Sequence, residues 1–376
     1  MLKFESAQIL QPLRNLHQSV IQQLEPTNGA LYLANLLGGP SEIRRYDLDG
    51  KNGTTIPVPE VSSVQQLVGL DDGALLFRAQ SYVEPPAWYE VASGQTGSKK
   101  TALVMSSPVS LSDIEVTRDF APSSDGTKIP LNIMRRKGTK LDGNNPTLLY
   151  GYGGYGISLS PTFDFTRRIW FDRGGIYVVA NIRGGGEFGE EWHKAGNLTK
   201  KQTVFDDFAA AARYLIEKKY TNPGKLALMG GSNGGLLMGA LITQHPELMR
   251  AVVSQVGIYD MLRVELAPNG AFNVTEFGTV KNPDQFKALY AYSPYHHVAE
   301  GAKYPAVLMM TGANDGRVAP YHSRKMTARL QEANKSSYPI LLRTTTSAGH
   351  GIGTALNERI SQLADVYSFL FAQLAM

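Results

Sequence analysis

Lys225-Leu226-Ala227-Leu228-Met229-Gly230-Gly231-Ser232-Asn233-Gly234-Gly235-Leu236-Leu237-Met238 decides the fold of this chain. An apolar, strand-like run meets Gly-Gly-Ser-Asn-Gly-Gly, and a Leu/Met/Gly/Ala run of helical character follows. Gly230, Ser232 and Gly234 fit G-x-S-x-G, the elbow that mounts a nucleophilic serine between a strand and a helix. Such an elbow forces the serine backbone into a strained turn and lifts Oγ clear of the sheet. The flanking glycines are needed because strand and helix pass too close for side chains. The triplet alone is common, and the alternative is a Gly-rich βα loop of another α/β fold; the strand–turn–helix setting gives it weight.

Outward from the elbow the same alternation continues. Residues 147–150 and 176–180 read as buried strands, and 205–219 as an amphipathic helix. Strands follow at 251–256, 306–310 and 339–343, and 358–374 reads as a closing helix. A hairpin at 115–134 turns on Ser123-Ser124-Asp125-Gly126. This predicts a doubly wound, mostly parallel α/β sheet over residues 113–376, with its site at the carboxyl ends of the strands.

A serine hydroxyl needs a base to take its proton, and the base needs a carboxylate to hold it. In α/β-hydrolases the order is Ser, Asp, His. Asp315 follows a buried strand in Met309-Met310-Thr311-Gly312-Ala313-Asn314-Asp315, and His350 follows the last strand in Ser347-Ala348-Gly349-His350-Gly351. Asn314 cannot supply the charge, and Asp315 as a mere helix cap is the weaker alternative, since Pro320 and Tyr321 already start the next helix. His17 falls in the β part; His245 and His322 fall at helix ends. His193 and the pair His296-His297 are loop residues in the wrong chain order. An oxyanion hole is also required. One donor is the backbone N–H of Asn233. The other is expected from Gly151-Tyr152-Gly153-Gly154-Tyr155-Gly156, where Tyr152 carries an O–H; the alternative is two tyrosines packing on a flexible loop.

Residues 1–112 read differently. Short strands at 30–35, 42–48, 64–70, 74–79 and 87–91 are separated by Asp-Gly turns, which suggests all-β structure. A weak repeat of about 40 residues suits four-stranded propeller blades. Two or so blades do not close a propeller, and a small irregular β domain is the alternative. With 37 Lys and Arg against 33 Asp and Glu, scattered along the chain, nothing asks for nucleic acid. Lys99-Lys100 and Lys200-Lys201 read as solvated pairs. The absence of cysteine excludes disulfides, thiolate metal sites and a Cys nucleophile, but leaves the compartment open between cytoplasm and periplasm. No apolar run approaches the ~18 residues of a membrane span. Met1-Leu2-Lys3-Phe4-Glu5 does not read as a signal peptide.

Tyr152-Gly153-Gly154, Asn181-Ile182-Arg183-Gly184-Gly185-Gly186-Glu187-Phe188-Gly189, Trp192-His193-Lys194, Gly230 to Gly235, Asp315-Gly316-Arg317-Val318 and Ala348 to Gly351 together resemble the prolyl oligopeptidase family (S9-type) of serine peptidases, over about residues 115–376. Asn233 after the serine resembles the prolyl oligopeptidase branch, where relatives more often carry Ala, His or Tyr. The resemblance implies Ser232, Asp315 and His350 as the triad, and Tyr152 with Asn233 as oxyanion donors. It further implies Arg317 as the holder of a substrate carbonyl, and Tyr155, Ile258, Asn273, Phe277 and Val318 as pocket lining. Tyr155 stands where a Phe is frequent. Asn273 stands where proline-specific members carry a tryptophan, so strict proline preference does not follow unless Phe272 or another side chain replaces that platform. The expected activity is serine endopeptidase action on short peptides, after proline or small residues, without metal or cofactor and without membrane or nucleic-acid partners. An esterase or aminopeptidase-like hydrolase with the same triad, and an inactive fragment, are the rival expectations. The family's seven-bladed propeller has room here for only about two blades. A partial chain is therefore expected, monomeric or self-associating through exposed blade edges.

Overall fold

The structure, a computed structural model, describes residues 19–351 and 353–376. Met1 to Glu5 and His17 lie outside the described residues. The chain divides into two compact units. The first takes the chain up to Val116 together with Ser158–Arg168 and Glu187–Gly189; the second takes Thr117–Ile157, Ile169–Gly186 and Glu190–Met376. The division thus falls a few residues beyond the 112/113 boundary read from sequence. Two short segments from beyond that boundary, Ser158–Arg168 and Glu187–Gly189, also return to the first unit.

In the first unit, β1 (Val20–Pro26), β2 (Leu31–Leu36), β3 (Ser41–Tyr46) and β4 (Thr54–Ile56) form one antiparallel sheet in chain order. β5 (Ser62–Gly69), β6 (Leu75–Ser81), β7 (Ala87–Val91) and β8 (Lys99–Val104) form a second. The Asp-Gly turns behave as the sequence requires: Gly50 and Gly73 take positive φ where side chains would be strained. Tyr32, Ile43 and Ile56 share one buried core with Leu67, Phe77 and Tyr89, and Phe77 stacks on Tyr89 across the β6–β7 pair at 5.1 Å. The returning segments are tied in by hydrogen bonds. Ser63 donates to the Pro161 carbonyl (2.7 Å), and the Phe163 N–H donates to Gln80 (3.1 Å).

The second unit is built on eight strands: β9 (Ile114–Pro122), β10 (Lys128–Arg136), β11 (Thr147–Tyr150), β12 (Ile176–Ala180), β13 (Leu226–Gly231), β14 (Ala251–Gln255), β15 (Ala306–Gly312) and β16 (Ile340–Thr345). Their spatial order is β16-β15-β14-β13-β11-β12-β10-β9. All pairs from β12 through β16 are parallel, and β10 runs antiparallel to β12. The helices are α1 (Arg168–Asp172), α2 (Glu190–Lys194), α3 (Gln202–Glu217), α4 (Asn233–Gln244), α5 (Gly270–Phe277), α6 (Pro283–Tyr292), α7 (Tyr321–Ala333) and α8 (Leu356–Leu374). The central strands are buried almost throughout, which is why they read as unbroken apolar runs; a sheet covered on both faces demands that. α3 buries Val204, Phe205, Phe208, Ala212 and Leu215, one stripe at helical spacing. β12 and β13 flank β11 on opposite sides, so the strand order switches there. The loops leaving the carboxyl ends of β11 and β13 therefore open a crevice, the place where such sheets bind ligands.

Candidate active site

Ser232 sits between β13 and α4 at φ 58° and ψ −118°. A non-glycine residue in that region costs of order 1–3 kcal/mol and persists only when its surroundings enforce it. Here they do. The Ser232 N–H donates to the Gln255 carbonyl (2.8 Å), and the Ser232 carbonyl accepts from the N–H groups of Gly235 (2.8 Å) and Leu236 (3.2 Å). A Cβ on Gly230 would run into the Gly234 carbonyl, and one on Gly234 would lie 2.7 Å from the Gly151 carbonyl oxygen. The glycines of the elbow are thus a packing requirement.

Asp315 and His350 lie on the loops after β15 and β16. Those loops are laced together: the Asn314 N–H donates to the Ala348 carbonyl (3.2 Å), and its side-chain amide donates to the Thr346 carbonyl (2.8 Å). The buried Asp315 carboxylate accepts backbone N–H bonds from Arg317 and Val318 at one oxygen, both 2.9 Å. Its other oxygen lies 2.7 Å from His350 Nδ1. Burial pushes this carboxyl up, but the His350 ring and the Val318 and Arg317 N–H groups outweigh it and hold it below the usual carboxylate range. With the Nδ1 proton committed to Asp315, His350 Nε2 is left as the acceptor, and it stands 2.9 Å from Ser232 Oγ. The three residues form one hydrogen-bonded line in the order that general-base activation of a serine requires.

The loop after β11 brings Tyr152 to the same serine. Burial raises the Tyr152 phenol, opposed by its hydrogen bond with Ser232, so at neutral pH it is an O–H donor. Asn233 heads α4, and a first-turn N–H of a helix has no intrahelical acceptor. The Asn233 side chain binds back to the Tyr152 carbonyl (2.5 Å), joining the elbow to this loop.

A cleft of about 560 Å³ opens beside Ser232 and His350, lined by Tyr152, Tyr155, Ile258, Phe272, Asn273 and Val318, with Arg317, Asn269 and Ile157 also on its wall. The Tyr155 hydroxyl donates to Asn273 Oδ1 (2.7 Å), and Phe272 stacks on the Tyr155 ring at 5.7 Å. Phe277, expected on the wall, is instead fully buried one layer behind, edge-on to Tyr155. The remaining pocket residues expected from sequence come together here. Asn269 and Ile157 carry no chemical signal that sequence reading could have used.

Lys201 corrects the reading of Lys200-Lys201 as a solvated pair. Lys200 is exposed, but Lys201 is 0% exposed. Its ammonium donates to the Gly153 carbonyl (3.0 Å) and to Glu276 Oε1 (2.8 Å). Burial lowers its pKa, and the Glu276 carboxylate opposes that. The other Glu276 oxygen lies 2.8 Å from His193 Nε2.

The chain is similar to a prolyl endopeptidase of Elizabethkingia meningoseptica, 38% identical over 355 residues that cover 93% of this chain and 50% of that protein. It is 40% identical to a prolyl endopeptidase of Dictyostelium discoideum over 338 residues, 87% of this chain and 44% of that one. Among solved structures, a chain from a structural and mechanistic study of two prolyl endopeptidases superposes with a TM-score of 0.88 at 43% identity, over 95% of this chain and 53% of that one. Prolyl oligopeptidase B from Galerina marginata, bound to a macrocyclization substrate, superposes with a TM-score of 0.88 at 31% identity, over 95% and 51%. The chain spans about half the length of the curated relatives it matches. The second unit has the α/β-hydrolase fold of these neighbours. Residues 161–376 match the prolyl oligopeptidase family, and with the elbow, the β-sheet order and these relatives in agreement, the chain belongs to that family.

Proposed function

We propose that this chain carries the catalytic centre of a serine endopeptidase acting on short peptides, cleaving after proline or small residues. The observation that carries the reading is the hydrogen-bonded line from Asp315 through His350 to Ser232, ending in a cleft. Ser232 Oγ attacks the scissile carbonyl while His350 Nε2 takes its proton. Asp315 keeps the imidazole in the tautomer that allows this and stabilises the imidazolium. The oxyanion is received by the Tyr152 hydroxyl and the Asn233 N–H. His350 then returns the proton to the leaving amine, and water releases the acyl group by the same steps in reverse roles. Arg317, a cation on the cleft wall, binds a substrate carbonyl in this reading. The apolar faces of Tyr155, Ile258 and Val318 suit proline or a small side chain, in keeping with relatives that are named prolyl endopeptidases.

A fluorophosphonate probe should label Ser232, and Ser232→Ala should abolish both labelling and hydrolysis of a peptide amide. Labelling at another residue, or turnover by Ser232→Ala, would overturn the assignment. Turnover of esters but not amides would replace the peptidase reading with that of an esterase using the same residues.

A further inference from the structure

We propose that Lys201 is a positioning residue for Tyr152: its ammonium, by gripping the Gly153 carbonyl and Glu276, sets where the Tyr152 hydroxyl stands relative to Ser232. The inference rests on the reading of Tyr152 as an oxyanion donor.

An ammonium has three protons to place, and burial forbids leaving them on water. Two go to Gly153 and Glu276, and the charge sits 5.2 Å from the centre of the Phe277 ring, within cation–π range. The Gly153 carbonyl belongs to the residue that follows Tyr152, in the Gly153–Gly154 peptide, so holding it restrains the backbone one residue beyond the phenol. Gly153 itself is at φ +63°, where a Cβ would strike Val204 and Ile182. The loop is therefore packed against Val204 and Ile182 and gripped at its Gly153 carbonyl by Lys201. Glu276 lies one helical turn beyond Asn273 on α5, and Asn273 accepts from Tyr155 at the far end of the same loop. α5 thus holds the loop at two points, directly through Asn273 and through Lys201 from Glu276. His193, on α2, occupies the second Glu276 oxygen and fixes that carboxylate in turn.

Stability alone does not account for this pair. Desolvating two charges offsets much of their attraction, and apolar side chains of similar volume often serve as well. What an apolar pair cannot do is bind the Gly153 carbonyl.

The test is a double-mutant cycle on the whole chain. Lys201→Met/Glu276→Gln removes the grip without leaving a lone buried charge; Lys201→Met/Glu276→Met is a second replacement should the first not fold. Tyr152→Phe is made in each background, and thermal melting verifies folding. In the wild-type background Tyr152→Phe should lower kcat about 100-fold, the loss seen when one oxyanion donor is removed. The double variant should lose about 10-fold or more in kcat with KM within about twofold, and adding Tyr152→Phe should then cost only about 10-fold or less, the two losses together making up the ~100-fold of Tyr152→Phe alone. A purely structural role predicts instead that the full Tyr152→Phe loss persists in the double variant, and that result, or wild-type kcat in the double variant, overturns the inference. A Tyr152→Phe variant with an undiminished rate sinks the oxyanion reading itself, a separate and recognisable failure.

Discussion

A carboxylate as buried as Asp315 keeps its charge only if donors replace the water it has lost. Two backbone N–H groups and the His350 ring do so, and the carboxyl stays below its usual range despite burial. Its stabilising share is therefore present above the unfolded carboxyl pKa and is lost as pH falls through the lower folded value. An Asn in its place brings an NH₂ where an acceptor is required, facing either the two N–H groups or His350. We expect Asp315→Asn to leave the chain folded but lower kcat about 10⁴-fold, because His350 then presents a proton to Ser232 rather than a lone pair. Steady-state kinetics on a proline peptide measure this; a loss under about tenfold would show that the carboxylate is not needed to orient the ring. Ser232, Asp315 and His350 were legible in the sequence because the chemistry demands fixed residue types in a fixed order. Lys201 was not. Its burial is decided by acceptors 48 and 75 residues away, and nothing in Lys200-Lys201 distinguishes the exposed lysine from the buried one.

Among elements, the legible ones are those with a single environment. β11, β13, β14 and β15 are buried on both faces and read as apolar runs; α3 buries one stripe. β8 did not stand out because it is exposed along almost its whole length and has no alternation to read. α5 was hidden for the opposite reason: it uses several faces at once. Phe272 and Asn273 line the cleft while Glu276 and Phe277 pack behind it, so no single apolar stripe marks it as a helix. This arrangement bears on specificity. Asn273 is occupied by Tyr155, and the exposed aromatic face at the cleft is Phe272, 62% accessible and nearly parallel to Tyr155. Phe272→Ala should leave stability within about 1 kcal/mol of wild type, as expected for an exposed ring that loses one stacking partner. It should lower kcat/KM for proline before the scissile bond about tenfold more than for alanine, the scale of a lost apolar contact. Equal losses for the two substrates would show that Phe272 does not read that side chain.

At the scale of the whole molecule, acid is the condition that sets burial against charge. Each unit has its own core, and in the second unit that core encloses His322, the second residue of α7. His322 Nδ1 accepts from the N–H groups of Tyr259 (3.3 Å) and Asp260 (3.2 Å), a role only the neutral ring can fill. Burial pulls its pKa down from 6.5 to about 4, the Asp260 carboxylate opposing. Because the unfolded chain takes up this proton at the higher pH, the native state loses stability as pH falls from 6.5 and has lost the whole increment below about 4. At ~1.4 kcal/mol per pH unit of separation, the increment is on the order of 3 kcal/mol. His322→Gln keeps an acceptor for the two N–H groups but cannot titrate. The variant should be less stable than wild type at pH 7 by roughly 1–2 kcal/mol, from imperfect packing and bond geometry. It should then lose less as the pH falls, so that the two stability curves converge and cross between pH 6.5 and 4. Urea unfolding followed by tryptophan fluorescence, in a Trp88→Phe background that silences the tryptophan of the first unit, reports this unit through Trp170, which is fully buried against Tyr367 and Phe371. His245 and His296, whose pKa values burial also lowers, contribute equally to both proteins and cancel in the difference. Parallel curves across that window would mean that the His322 ring carries its proton in the folded state and that its two N–H partners do not hold it neutral.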